Sequence, residues 1–140
     1  MRLFNPFSEM PKGTINIEAK AMIDIAGKQI IPAVIKYVTS LAQSVNSVKS
    51  AVADADVSVQ SELLTESSAL LSDAQVALAK LKDETAKAGA MEEGREQAVY
   101  YRDVVKTAMD ALRTPVDELE MIVDKEMWPM PSYGDLIFEV

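Results

Sequence analysis

The sequence predicts an all-α protein: an antiparallel bundle of about four helices, two of them long, followed by an extended C-terminal tail. Three observations carry that expectation. Apolar residues recur at alternating steps of three and four along most of the chain, which places them on one face of a helix. The apolar fraction of 49% is carried by Ala, Val, Leu, Ile and Met rather than by aromatics, and 140 residues hold only five Gly and six Pro, a mix that favours helices over sheets. Outside the tail, no stretch alternates apolar and polar residues as a half-buried strand does.

Residues 1–13 hold two prolines and a glycine among scattered apolar residues, so they read as a non-helical arm or linker. Helical periodicity begins after Thr14, with Ile23, Ala26, Ile30, Val34, Tyr37, Leu41, Val45, Val48 and Val52 on one face. A helix of that span would be roughly 55–60 Å long, more than a compact domain needs, and is expected to bend or protrude. Pro32 removes the amide that would bond the Lys28 carbonyl, and Gly27 weakens the same turn, which predicts a kink there.

Asp54-Ala55-Asp56 can cap a second helix, whose stripe is Leu63, Leu70, Ala74, Leu78 and Leu81, interrupted at Ser67 and stopped at Gly89. A third helix is expected from Glu92 and Glu93, with Ala98, Tyr101, Val105, Ala108 and Leu112 inward and Arg113 at its end. Thr114-Pro115 reads as the start of a fourth, since Thr caps and Pro takes the first helical position without losing a hydrogen bond. Its stripe is Leu119, Ile122, Val123 and Met127, which sets the bundle at residues 14–127.

Acidic residues outnumber basic ones 22 to 14, so the long-range field repels phosphate backbones and anionic head groups, and neither nucleic acid nor membrane is expected as a partner. The apolar runs fall far short of the roughly 20 residues that span a bilayer. The N-terminus lacks the apolar core of a signal peptide, which makes the cytoplasm the expected location. There is no Cys and no His; zinc, thiol and His-based di-iron chemistry are set aside.

Glu18 with Asp24, or Glu118 with Glu120, are the acids that could pair for proton transfer, but such pairs must share a desolvated pocket, and a solvated helix face accounts for them better. Of Tyr100-Tyr101-Arg102-Asp103, adjacent positions point in different directions, so one Tyr is expected in the core and the rest at the surface or in interhelical hydrogen bonds. No Gly-rich phosphate loop is present. No catalytic, cofactor-binding or metal-binding residue is therefore assigned.

The tail, residues 128–140, concentrates Trp128, Pro129, Pro131, Tyr133 and Phe138 and ends on the apolar run Leu136-Ile137-Phe138. These residues are the candidate site, either docked on the chain's own helices or contacting another subunit, because an exposed patch of this kind is uncommon on a soluble monomer. Self-docking is the preferred expectation.

Two stretches also resemble a known family. One is Ile17-Glu18-Ala19-Lys20-Ala21-Met22-Ile23-Asp24-Ile25-Ala26, continuing through Ile30-Ile31-Pro32-Ala33-Val34-Ile35-Lys36-Tyr37. The other is Tyr100-Tyr101-Arg102-Asp103-Val104-Val105, then Ala108-Met109, Leu112-Arg113, Pro115, Asp117-Glu118-Leu119-Glu120, Lys125-Glu126 and Trp128-Pro129 through Pro131, Tyr133-Gly134-Asp135-Leu136-Ile137-Phe138-Glu139-Val140. Both resemble the C-terminal helical part of type III glutamine synthetases, ligases that join glutamate and ammonia using ATP and divalent cations and that assemble as stacked rings. The resemblance implies a C-terminal structural and assembly domain in a homo-oligomer, partnered by the catalytic domain and by neighbouring subunits. It implies ATP and Mg for the parent enzyme and no cofactor for this chain, since none of the family's nucleotide or metal motifs stands here. The alternative is a stand-alone helical interaction or regulatory module, and the third expectation, a small enzyme using carboxylates, is the weakest.

Overall fold

A computed structural model of the chain describes residues 12–130, and every regular element among the described residues is helical. Helix α1, residues 12–51, is α-helical over Lys12–Ile25 and Ile31–Ala51 and passes through a π-helical turn, Ala26–Ile30, between them. Helix α2 is Ser58–Ala90. Helix α3, residues 95–122, is α-helical over Arg95–Tyr100 and Lys106–Ile122, with a second π turn at Tyr101–Val105.

The π turns follow from the spacing of the buried residues. In α1 the core positions run Ile15, Ala19, Met22, Ala26, Ile30, Val34, Tyr37 and Leu41, with three consecutive steps of four from Met22 to Val34. Each such step turns an ideal helix about 40° past a full revolution, so the stripe would slide off its face. A wide turn absorbs the excess and keeps Ala26 and Ile30 inward. It falls where the sequence predicts a kink, just before Pro32: the Ile31 amide bonds back to the Ala26 carbonyl, and the proline then opens the second α-helical stretch, where its missing amide is least missed. In α3 the same spacing recurs at Tyr101, Val105 and Met109, and so does the wide turn.

The expected fourth helix is a continuation of α3. Thr114-Pro115 does not begin a new element, and Pro115 lies buried inside the helix. Leu112, Arg113, Pro115, Val116 and Leu119 form one unbroken buried face there, and breaking the chain at Thr114 would expose it. Thr114 turns its hydroxyl to the Asp110 carbonyl at 3.3 Å instead of capping. The helix stops at Ile122, short of Met127, and α2 runs through Gly89 to Ala90, with the positive-φ turn residue being Gly94.

Val45 and Val48 are half-buried and Val52 is exposed, so the far end of α1 extends beyond the densest part of the core. In the connection to α2, Asp56 accepts the Ser58 amide at 2.9 Å, and that bond holds its carboxyl below the usual range. The three helices share one core cluster, to which Val123 and Trp128 also belong. Ser44 meets Gln60 between α1 and α2, while Glu84 meets Tyr100 and Ala88 meets Gln97 between α2 and α3.

Candidate interaction site

After α3 the chain turns sharply around Asp124, whose carbonyl accepts the amides of Met127 at 2.9 Å and Trp128 at 3.0 Å and whose carboxylate accepts the Glu126 amide at 2.9 Å. This compact turn delivers Trp128 to the core, where it is 7% exposed. Its indole Nε1 has no hydrogen-bond partner, although a buried indole N–H usually finds one. Tyr37 belongs to the same cluster, and burial, with Asp124 and Glu66 nearby, pushes its phenol above its ordinary pKa.

Pro129 is exposed and lines a groove of about 440 Å³ with Glu126 and Met127 on one side and Lys28, Gln29, Pro32, Ala33 and Lys36 of α1 on the other. Lys28 is tied to Asp24 at 2.8 Å, which raises its pKa. Met130 packs against the core from the same side. Of the tail residues singled out from sequence, Trp128 and Pro129 are therefore brought together beside α1, and Pro131, Tyr133 and Phe138 lie outside the described residues. The α1 side of the groove carries no sequence signal, because about ninety residues separate it from Trp128.

The candidate acids do not assemble a reaction centre. Asp24 is engaged with Lys28, Glu118 is exposed, and Glu120 is half-buried on another side of α3. Desolvation, with Asp117 nearby, raises the Glu120 pKa, and its Oε2 lacks a partner. Among the described residues no group of three or more acids could hold a metal ion, and no helix is long and apolar enough to cross a membrane. Tyr101 is the buried member of its pair, with its hydroxyl on Asn16 Oδ1 at 3.3 Å, and Tyr100 donates to Glu84 at 3.0 Å; desolvation, and then this bond, raise the Tyr100 pKa. Arg113, expected to close a helix, is buried and bonded to Asp110 at 2.9 Å.

Fold and site together define a class, an all-helical domain that presents a packed aromatic corner and a basic-edged groove. Residues 7–49 match the family described as glutamine synthetase C-terminal domain. The chain is 28% identical over 128 residues to a glutamine synthetase of Bacteroides fragilis (strain YCH46), covering 89% of this chain and 18% of that protein. It is 28% identical over 127 residues to a glutamine synthetase of Butyrivibrio fibrisolvens, with 91% and 18% covered. Against a type-3 glutamine synthetase of Dictyostelium discoideum the identity is 25% over 138 residues, with 93% and 18% covered. The chain is thus similar to the glutamine synthetase C-terminal domain over residues 7–49, and it spans about a fifth of the length of the glutamine synthetases it matches.

Proposed function

We propose that this chain is the C-terminal structural and assembly domain of a type III glutamine synthetase, an ATP-dependent ligase that makes glutamine from glutamate and ammonia. The observation that carries this reading is the coverage: nearly the whole chain aligns with less than a fifth of each relative, one of which is a type-3 enzyme. The helices, as an antiparallel bundle, support the catalytic domain and shape contacts between subunits of a cytoplasmic homo-oligomer. The described residues offer no acid cluster for a divalent cation and the sequence offers no phosphate loop, so they do not fit ATP and Mg, which we assign to the rest of the enzyme. Trp128, Pro129, Pro131, Tyr133 and Phe138 are assigned as the docking segment, of which Pro129 lines the groove beside Pro32.

Two measurements test the reading. The reading frame upstream of Met1 should continue for several hundred codons and encode acidic, metal-binding strands; a stop codon immediately before Met1 would instead make the chain a stand-alone interaction module. Incubated with glutamate, ammonia, ATP and magnesium, the purified chain should release no phosphate above background, and reproducible glutamine formation would overturn the assignment.

A further inference from the structure

The start of α1, the end of α2 and the start of α3 enclose an open cleft of about 580 Å³. A volume of that order is within the range of small-molecule sites, about 300–1,000 Å³. Lys20 and Lys82, both exposed, stand on its two long sides, and neither forms an ion pair among the described residues. The neighbouring acids are already neutralised: Asp24 by Lys28 at 2.8 Å, and Asp83 and Glu84 by Lys87 at 3.1 and 3.5 Å. Gln97 caps the end of α2 by donating to the carbonyls of Ala88 at 2.9 Å and Met91 at 3.2 Å, which withdraws the negative end of that helix from the cleft.

The floor supplies a second, independent observation. Thr39, Thr65, Thr107 and Thr114 each turn the hydroxyl back to the carbonyl four residues earlier in their own helix. Thr85, 7% exposed and lining the cleft, does not, and its hydroxyl has no partner at all. Leaving a buried hydroxyl unmet is unfavourable, and a rotation of the Thr85 side chain toward a guest group on the floor would satisfy it. Beside it, Tyr101 opens a π turn, a distortion often found at functional sites, and its long 3.3 Å bond to Asn16 leaves both groups free to regroup around a guest. Ile23, Ala86 and Gly89 give the remaining wall an apolar character.

We propose that this cleft binds a small organic carboxylate, with its head between Lys20 and Lys82 over Thr85 and its aliphatic body against Ile23. Inorganic phosphate would share the cationic head site but leave the apolar wall wet. Titration of the 15N-labelled full chain with butyrate at constant ionic strength should give saturable shifts at the amides of Asn16, Thr85, Ala86 and Tyr101. Replacing both exposed lysines, Lys20→Gln with Lys82→Gln, should weaken binding about tenfold or more, as expected when charge-assisted hydrogen bonds are lost. The shape-conserving Thr85→Val should weaken it too, with helix content unchanged by circular dichroism, and Lys36→Gln, at the other groove, should leave it unaltered. Shifts that grow linearly with concentration, or that survive the Lys20/Lys82 double variant, would overturn the site. Tighter binding of phosphate than of butyrate would overturn the carboxylate assignment.

Discussion

Ser67 and Trp128 are both buried with a polar atom unmet, yet truncating them should have opposite effects. Ser67 is 0% exposed on the inner face of α2, and its hydroxyl contributes burial cost without a bond. Ser67→Ala should stabilise the chain by about 1 kcal/mol, combining relief of that cost with the better helix propensity of Ala; a lower melting temperature would show that the hydroxyl is satisfied in solution. Trp128 contributes large apolar area at the base of the tail, so Trp128→Ala should cost about 3–5 kcal/mol. If stability stays unchanged, Trp128 contributes less to the core than its burial implies. Glu120 gives a pH signature. Burial raises its pKa in the folded state above the ordinary 4.5, so the folded chain takes up the proton first as pH falls. Stability linked to this group is present below about 4.5 and lost as pH rises through the raised value. Glu120→Gln should remove that component, and the stability difference between variant and parent should shrink on acidification; a difference independent of pH would show that the carboxyl is solvated.

At the scale of elements, two glycines separate helical geometry from turn geometry. Gly27 lies in the first π turn, and a Cβ there would meet Leu78 at an ordinary 3.7 Å. Gly27→Ala should therefore stabilise by about 0.5–1 kcal/mol through the smaller entropy lost on folding. Gly94, with φ 155° and ψ −164° just before α3, occupies backbone space that side chains rarely enter. Gly94→Ala should cost about 1–3 kcal/mol although the space around it is open. Thermal unfolding of the two variants side by side decides the matter, and equal effects would mean that the turn relaxes. The helical period of all three helices was legible, because burial on one face needs little else, but the stripe read for α1 included Val52, which is exposed, and passed over Ile15, Ala19 and Met22, which are buried. The π turns were not, since a run of four-residue steps such as Met22, Ala26, Ile30 and Val34 also fits a helix that simply rotates its face. Thr114-Pro115 misled for a related reason. A local signal for a helix start is weaker than the continuous burial of Leu112 through Leu119, which tertiary packing enforces.

For the whole molecule, circular dichroism should report well over half helix and a single cooperative transition, as expected of one shared core. Two separate transitions would instead divide the chain into independently melting parts. The net charge of −8 makes the isolated chain self-repelling at low salt, which favours solubility. The Lys20–Lys82 cleft takes its α3 wall from Gln97 and Tyr101 at the start of that helix, whereas Trp128 follows its end, so the two features share no lining residue.

What the sequence determined by itself was composition and period: helices throughout the described residues, inward positions such as Ala26, Ile30, Val34, Tyr37 and Leu41 of α1, and a chain without His or Cys. These are local quantities, fixed by residue type and by spacing within one helical turn or two. Only the tertiary structure decided that the helices number three among the described residues, that Pro115 is buried inside one of them, and that Lys28 and Lys36 border the same groove as Pro129. It alone placed Lys20, Lys82 and Thr85 around one cleft. Residues separated by more than sixty positions meet only when the core closes, and that closure depends on the sum of many contacts, which no local pattern encodes.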